Sequence, residues 1–124
     1  MEKNEESFIK KTIKGFGYAG RGIFSAIKSE RNMKIHIFCM VLVIIFGIIF
    51  KLSKFEWIVC IILFAGVIAG EMFNTAIENV VNMVTQEKNE KAKVAKDVAA
   101  GAVLIWAICS AIIGAMMFIP KFFE

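Results

Sequence analysis

Two glutamates seven positions apart, Glu71 and Glu78, stand in an otherwise apolar stretch of the chain. On a helix a step of seven moves only about 20° around the axis, and Asn82, eleven on from Glu71, returns to within about 20° as well. Glu71, Asn74, Thr75, Glu78 and Asn82 therefore make one polar stripe on an apolar helix. Hydrophobic residues form 58% of the 124 residues, and the mean hydropathy is +0.68, more than a soluble domain of this size hides. On insertion scales each carboxylate inside a membrane costs about 2.5–3.5 kcal/mol, so two in one stripe need a compensating role. Polar stripes also act as hydrogen-bonded glue between helices, but glue is usually Ser, Thr, Asn or Gln. The carboxylate pair points to a reaction site.

Two carboxylates with a lysine near water suit a divalent cation and a polyphosphate. Mg²⁺ prefers one or two carboxylates and takes its remaining oxygens from phosphates and water, and lysine supplies charge to a transferring phosphoryl group. A deeper carboxylate suits a general base acting on an alcohol. Phosphoryl transfer depends mainly on positioning and charge neutralisation, so few further groups are needed. ATP-dependent phosphorylation of a membrane alcohol is one candidate; a proton or cation pathway would use similar residues.

These residues need spanning helices to hold them. A bilayer core about 30 Å thick takes roughly 20 apolar residues of helix, fewer with snorkelling flanks. Three segments qualify, and an all-α membrane protein of a single domain follows. The first runs over 35–50 with His36 as its one polar residue, flanked by Lys34 and Lys51. The second runs over 57–85, opening on Trp57 as an interfacial anchor. The third runs over 98–119, free of charge and closed by Pro120 and Lys121. At 1.5 Å per residue Glu71 lies roughly 21 Å from Trp57 and Glu78 roughly 32 Å. Glu78 is thus expected at the interface with Glu71 deeper. Glu30, Lys96 and Asp97 reach the same level, so all five are expected to converge there.

Basic residues set the expected orientation in the plasma membrane. Lys3, Lys10, Lys11, Lys14, Arg21, Lys28, Arg31, Lys34, Lys88, Lys91, Lys93 and Lys96 stand on one side, against Lys51, Lys54 and Lys121 on the other. The N-terminus and second loop should be cytoplasmic and the C-terminus outside. Over 5–30, Ile9, Phe16, Ile23 and Ile27 share one helix face, and Lys10, Lys14, Arg21 and Lys28 lie on roughly the opposite one. This describes a helix lying in the membrane interface. The charged first 30 residues carry no apolar core of a cleavable signal peptide.

Other features carry less chemistry. Gly15 to Gly20 matches G-x-G-x-x-G, but no βαβ unit accompanies it, so its glycines are read as packing positions. Cys39, Cys60 and Cys109 lie in apolar runs without CxxC spacing and are read as membrane packing. No nucleic-acid partner is expected.

The run Glu71-Met-Phe-Asn74-Thr75-Ala76-Ile77-Glu78-Asn79-Val80-Val81-Asn82, followed by Ala95-Lys96-Asp97 and Ala99-Ala100-Gly101-Ala102-Val103, resembles the signature of the small prokaryotic diacylglycerol kinases. Gly20 to Ile23, Glu30-Arg31-Asn32, His36 and Ile119-Pro120-Lys121 are similar to its Gram-positive branch, whose members act mainly as undecaprenol kinases. The resemblance implies a surface helix plus three spans, assembled as a homotrimer with shared active sites. It implies ATP as donor, Mg²⁺ as cofactor, and undecaprenol as acceptor, with diacylglycerol as the alternative. By position, Glu71 would accept the hydroxyl proton, with Asn74 orienting groups beside it. Glu30 and Glu78 would hold the metal. Lys96, Asp97, Tyr18 and the loop Glu87, Lys88 and Asn89 would contact ATP, and Lys11 would contact the lipid substrate. One position departs: the family usually has Asp where this chain has Asn82, which removes a charge from the stripe. A non-enzymatic membrane scaffold or ion-conducting oligomer is the competing class, separated by whether ATP binds.

Overall fold

The computed structural model describes residues 2–124, with side chains from Ser7 onward. Four helices follow in order: α1 (Glu2–Ser29), α2 (Arg31–Ile49), α3 (Lys54–Val84) and α4 (Glu90–Phe122). α2, α3 and α4 are each long and apolar enough to cross a membrane. Their apolar side chains are mostly exposed, as expected where lipid rather than protein covers them. The 31 and 33 residues of α3 and α4 correspond to about 46 and 50 Å, so both outrun a hydrocarbon core of about 30 Å.

Each junction has a local cause. Glu30 is the single extended residue (φ −96°, ψ 123°) between α1 and α2. Met33, fully buried, and Ala26 pack that corner, where α1 approaches both α2 and α3. Elsewhere α1 keeps Phe8, Ile13, Phe16 and Phe24 exposed, a free apolar face for a membrane surface. At the other end α2 stops in a Schellman turn. Leu52 N–H donates to the Gly47 carbonyl at 3.0 Å and Lys51 N–H to the Ile48 carbonyl, with Lys51 itself at φ 55°. Gly47 is required there because a Cβ would meet the Trp57 ring at 2.6 Å. Ser53 then starts α3 through a capping box with Glu56. The loop 85–89 closes on Asn89, whose side chain accepts from Ala92 N–H to cap α4.

α4 packs along α3, whereas α2 meets α3 more sparsely. Among the described residues, α2 and α4 make no close backbone approach. The α3–α4 seam is tight because Gly66 lies flat under Trp106, which also donates its indole N–H to the Leu63 carbonyl at 3.2 Å. At the end farthest from the loop 85–89, Phe50 packs edge-on against Phe118 and Phe122, with ring centroids 6.3 and 4.7 Å away. Lys121 also pairs there with Glu56 at 3.2 Å. A cleft between α2 and α4, floored by α3, is left open by this arrangement.

Candidate active site

Glu71 sits in a cavity of about 250 Å³ where α2, α3 and α4 converge. Its side chain is among the few buried charged groups, only 4% of the residue being exposed. Asn32 and His36 of α2, Asn74 of α3, and Ala100 and Val103 of α4 line the same space. The 3.6-residue period puts Glu71 and Asn74 on the face of α3 that α4 covers, and Gly70 beside them admits Val103 in ordinary contact. His36 Nε2 lies 3.2 Å from Glu71 Oε1. Asn74 donates through Nδ2 to Glu78 Oε1 at 3.4 Å, while its own Oδ1 is buried without a partner. Thr75 Oγ1 is likewise buried and unpartnered. Buried polar atoms are normally satisfied, and the free Asn74 Oδ1, lining the same cavity as the buried carboxylate, is an acceptor open to a ligand's donor.

His36 is the member that sequence reasoning did not assign to the site. The sequence marks it as the single polar residue in the apolar run 35–50 and as part of the family resemblance, with no role attached. Which face of α2 meets Glu71 depends on how the corner at Glu30 aims the helix, and spacing alone does not determine that.

A second, more open cavity of about 470 Å³ lies at the loop end, lined by Asn82, Thr85, Glu87, Lys88, Asn89, Lys93 and Lys96 among others. Lys96 Nζ donates to Asn82 Oδ1 at 2.7 Å. Here the amide in the stripe acquires a reason: as a neutral acceptor it orients the lysine without neutralising its charge. Asp97 does not turn toward this cavity; its carboxylate pairs with Lys93 one turn back at 2.7 Å, and both side chains are exposed. The bond raises the Lys93 pKa, chiefly by hydrogen bonding.

The expected convergence is thus divided within one chain. Glu71, Asn74 and, through Asn74, Glu78 form one group, while Lys96 and the loop 87–89 form another. Glu30 makes no side-chain cap bond and lines neither cavity. Tyr18 is exposed, with Arg21 over its ring at 5.3 Å, and Lys11 is exposed on α1. Among the described residues no cluster of three or more His, Cys, Asp or Glu side chains forms a closed metal cage.

Comparison with known proteins gives the family. The model of the prokaryotic diacylglycerol kinase family matches residues 17–118. An undecaprenol kinase of Bacillus subtilis is 40% identical over 119 residues, spanning 96% of this chain and 97% of that protein. A diacylglycerol kinase of Synechocystis is 36% identical over 121 residues, spanning 97% of this chain and 69% of that protein. A buried carboxylate among three membrane-spanning helices, beside an open basic cavity, therefore belongs to a member of the prokaryotic diacylglycerol kinase family, a membrane lipid kinase.

Proposed function

We propose that this kinase transfers the γ-phosphoryl group of ATP to undecaprenol, giving undecaprenyl phosphate and ADP. The observation that carries the site is Glu71, buried at 4% exposure beside the unpartnered Asn74 Oδ1. A lipid hydroxyl entering that cavity can donate to Glu71, which presents its proton to a base, and Asn74 Oδ1 offers a free acceptor to a polar group beside it. The choice of undecaprenol follows the Bacillus relative, similar over nearly the whole of both chains. Diacylglycerol is the second reading, favoured by the name of the Synechocystis relative.

In this mechanism the acceptor oxygen bonds to the γ-phosphorus as the bond to the bridging oxygen of ADP breaks. Glu71 takes the hydroxyl proton. His36 holds the Glu71 carboxylate in place, and Asn74 orients Glu78 beside the base through its Nδ2. Lys96, steered by Asn82, and the loop Glu87, Lys88 and Asn89 receive the nucleotide, joined by Tyr18 and by Asp97, which acts on the cavity through its partner Lys93. Glu30 and Glu78 would hold Mg²⁺, which when bound supplies charge neutralisation to the phosphates. Lys11 lies on the surface helix, positioned for the lipid. The family resemblance implies a homotrimer, and we place the complete site between its copies, which would bring together the two groups that stand apart in one chain. The loop 85–89 and α1 face the cytoplasm, where ATP is found, which agrees with the basic-residue asymmetry.

The test is to offer purified protein in micelles ATP, Mg²⁺ and either undecaprenol or diacylglycerol. Phosphorylated undecaprenol forming faster than phosphatidic acid is the expected outcome, with EDTA abolishing both. Absence of product from either lipid would overturn the assignment. A Glu71→Gln variant that keeps full activity would remove that residue from its role.

A further inference from the structure

The lipid hydroxyl accounts for the polar cavity but not for the space that continues from it. A second cavity of about 350 Å³ runs between α2 and α4, with α3 as its floor. Ile35, His36 and Ala107 line both spaces, so the two adjoin at those residues. Past His36 the walls are apolar apart from Ser110, whose hydroxyl is already donated to the Trp106 carbonyl. The far end is stopped by Phe118, which packs edge-on against Phe50.

We propose that this groove holds the first part of the acceptor's hydrocarbon chain, and that Gly114, one turn short of Phe118, keeps its deep end open to the chain. The proposal rests on the lipid-kinase reading of the Glu71 cavity. The groove's lining spans residues 35–43 of α2 and 107–118 of α4, about 12 and 16 Å of helix. A carbon chain with bonds of about 1.5 Å and angles near 111° advances about 1.25 Å per atom. Roughly ten to thirteen extended carbons therefore fit between His36 and Phe118. A volume of about 350 Å³ spread over that length leaves roughly 20–30 Å² of cross-section, which suits a single chain and not a helix of a second copy, about 10 Å or more across with its side chains. The slot exists because α2 and α4 do not approach each other and because Ala107, Ala111 and Gly114 keep the α4 wall low. A longer prenyl chain leaves the groove sideways into the bilayer, so carbons beyond the first dozen are not sensed.

Two measurements test this. Cys39 lines the groove and is exposed, Cys60 lines it but is buried, and Cys109 is exposed elsewhere. In a Cys109→Ala variant in nanodiscs without ATP, a membrane-permeant maleimide reports on Cys39. A fifteen-carbon prenyl alcohol is expected to slow labelling about fivefold, and a five-carbon prenyl alcohol is expected to leave it unchanged. Equal labelling with and without the long alcohol would overturn the proposal. So would labelling blocked under every condition, which would assign the groove to a second copy. The other measurement uses Gly114→Leu. A Cβ at Gly114 meets nothing within 4 Å, so the new side chain enters the groove without displacing its wall. It is expected to lower kcat/KM for the fifteen-carbon alcohol about tenfold relative to the five-carbon one. Ile105→Phe, on an exposed face of α4, is expected to leave that ratio unchanged. If no alcohol is phosphorylated by the parent protein, the kinase reading itself fails. If phosphorylation proceeds and Gly114→Leu leaves the chain-length ratio intact, the groove alone fails.

Discussion

Replacing His36 with leucine isolates the contact on which the docking of α2 depends. Among the described residues, His36 to Glu71 is the only side-chain hydrogen bond between α2 and α3. Side-chain hydrogen bonds between membrane helices average about 0.6 kcal/mol and reach about 1.7. The substitution also strips a partner from a carboxylate exposed by only 4%, and an unsatisfied buried group costs about 1–3 kcal/mol. His36→Leu should therefore destabilise the protein by about 1–3 kcal/mol in reversible detergent unfolding. A base that is no longer held should lower kcat about 10- to 100-fold, the rate equivalent of roughly 1.4–2.8 kcal/mol. His36→Gln retains a donor and should recover part of both losses, which separates the hydrogen bond from simple packing. In a double-mutant cycle with Glu71→Leu, which removes the acceptor, read by stability alone, the pair should show a coupling near 1 kcal/mol. Wild-type turnover for His36→Leu, with coupling below about 0.3 kcal/mol, would refute the reasoning.

Three further outcomes follow from the geometry. Lys96→Met should raise KM for ATP about tenfold or more with little change in the lipid KM, as read by separate titrations of the two substrates, because a charge-assisted contact is worth about 1.5–3 kcal/mol. Gly66→Val should destabilise by about 1–3 kcal/mol, since its Cβ collides with the Trp106 ring and forces the α3–α4 seam apart; chemical unfolding monitored by Trp fluorescence checks it. Ser53→Ala should cost about 1 kcal/mol through loss of the capping box that starts α3, with turnover at low temperature unchanged, because that cap lies at the end of the molecule away from Glu71.

The chain's own pattern determines the all-helical class, the three spans and the acidic stripe. Each rests on periodicity or on continuous apolar length, and these are local properties that the bilayer reads directly. Glu71 and Asn74 are found from sequence for the same reason: a charge in such a helix stands out wherever the helix docks. The partner of Glu71 is not a local property. His36 is separated from it by 35 positions, and their meeting depends on the corner at Glu30 and on the tight turn at Lys51, which together aim α2. Within one chain the tertiary structure also separates what depth alone had brought together. Depth places Glu30, Glu71, Glu78, Lys96 and Asp97 at one level, but azimuth sends Lys96 to Asn82 and Asp97 back to Lys93. The groove beside the stripe is likewise a tertiary fact. Small residues on α4 are visible in the sequence, but a slot forms only because α2 and α4 both rest on α3 without closing on each other. Helical period states which residues share a face, and packing alone decides which faces meet.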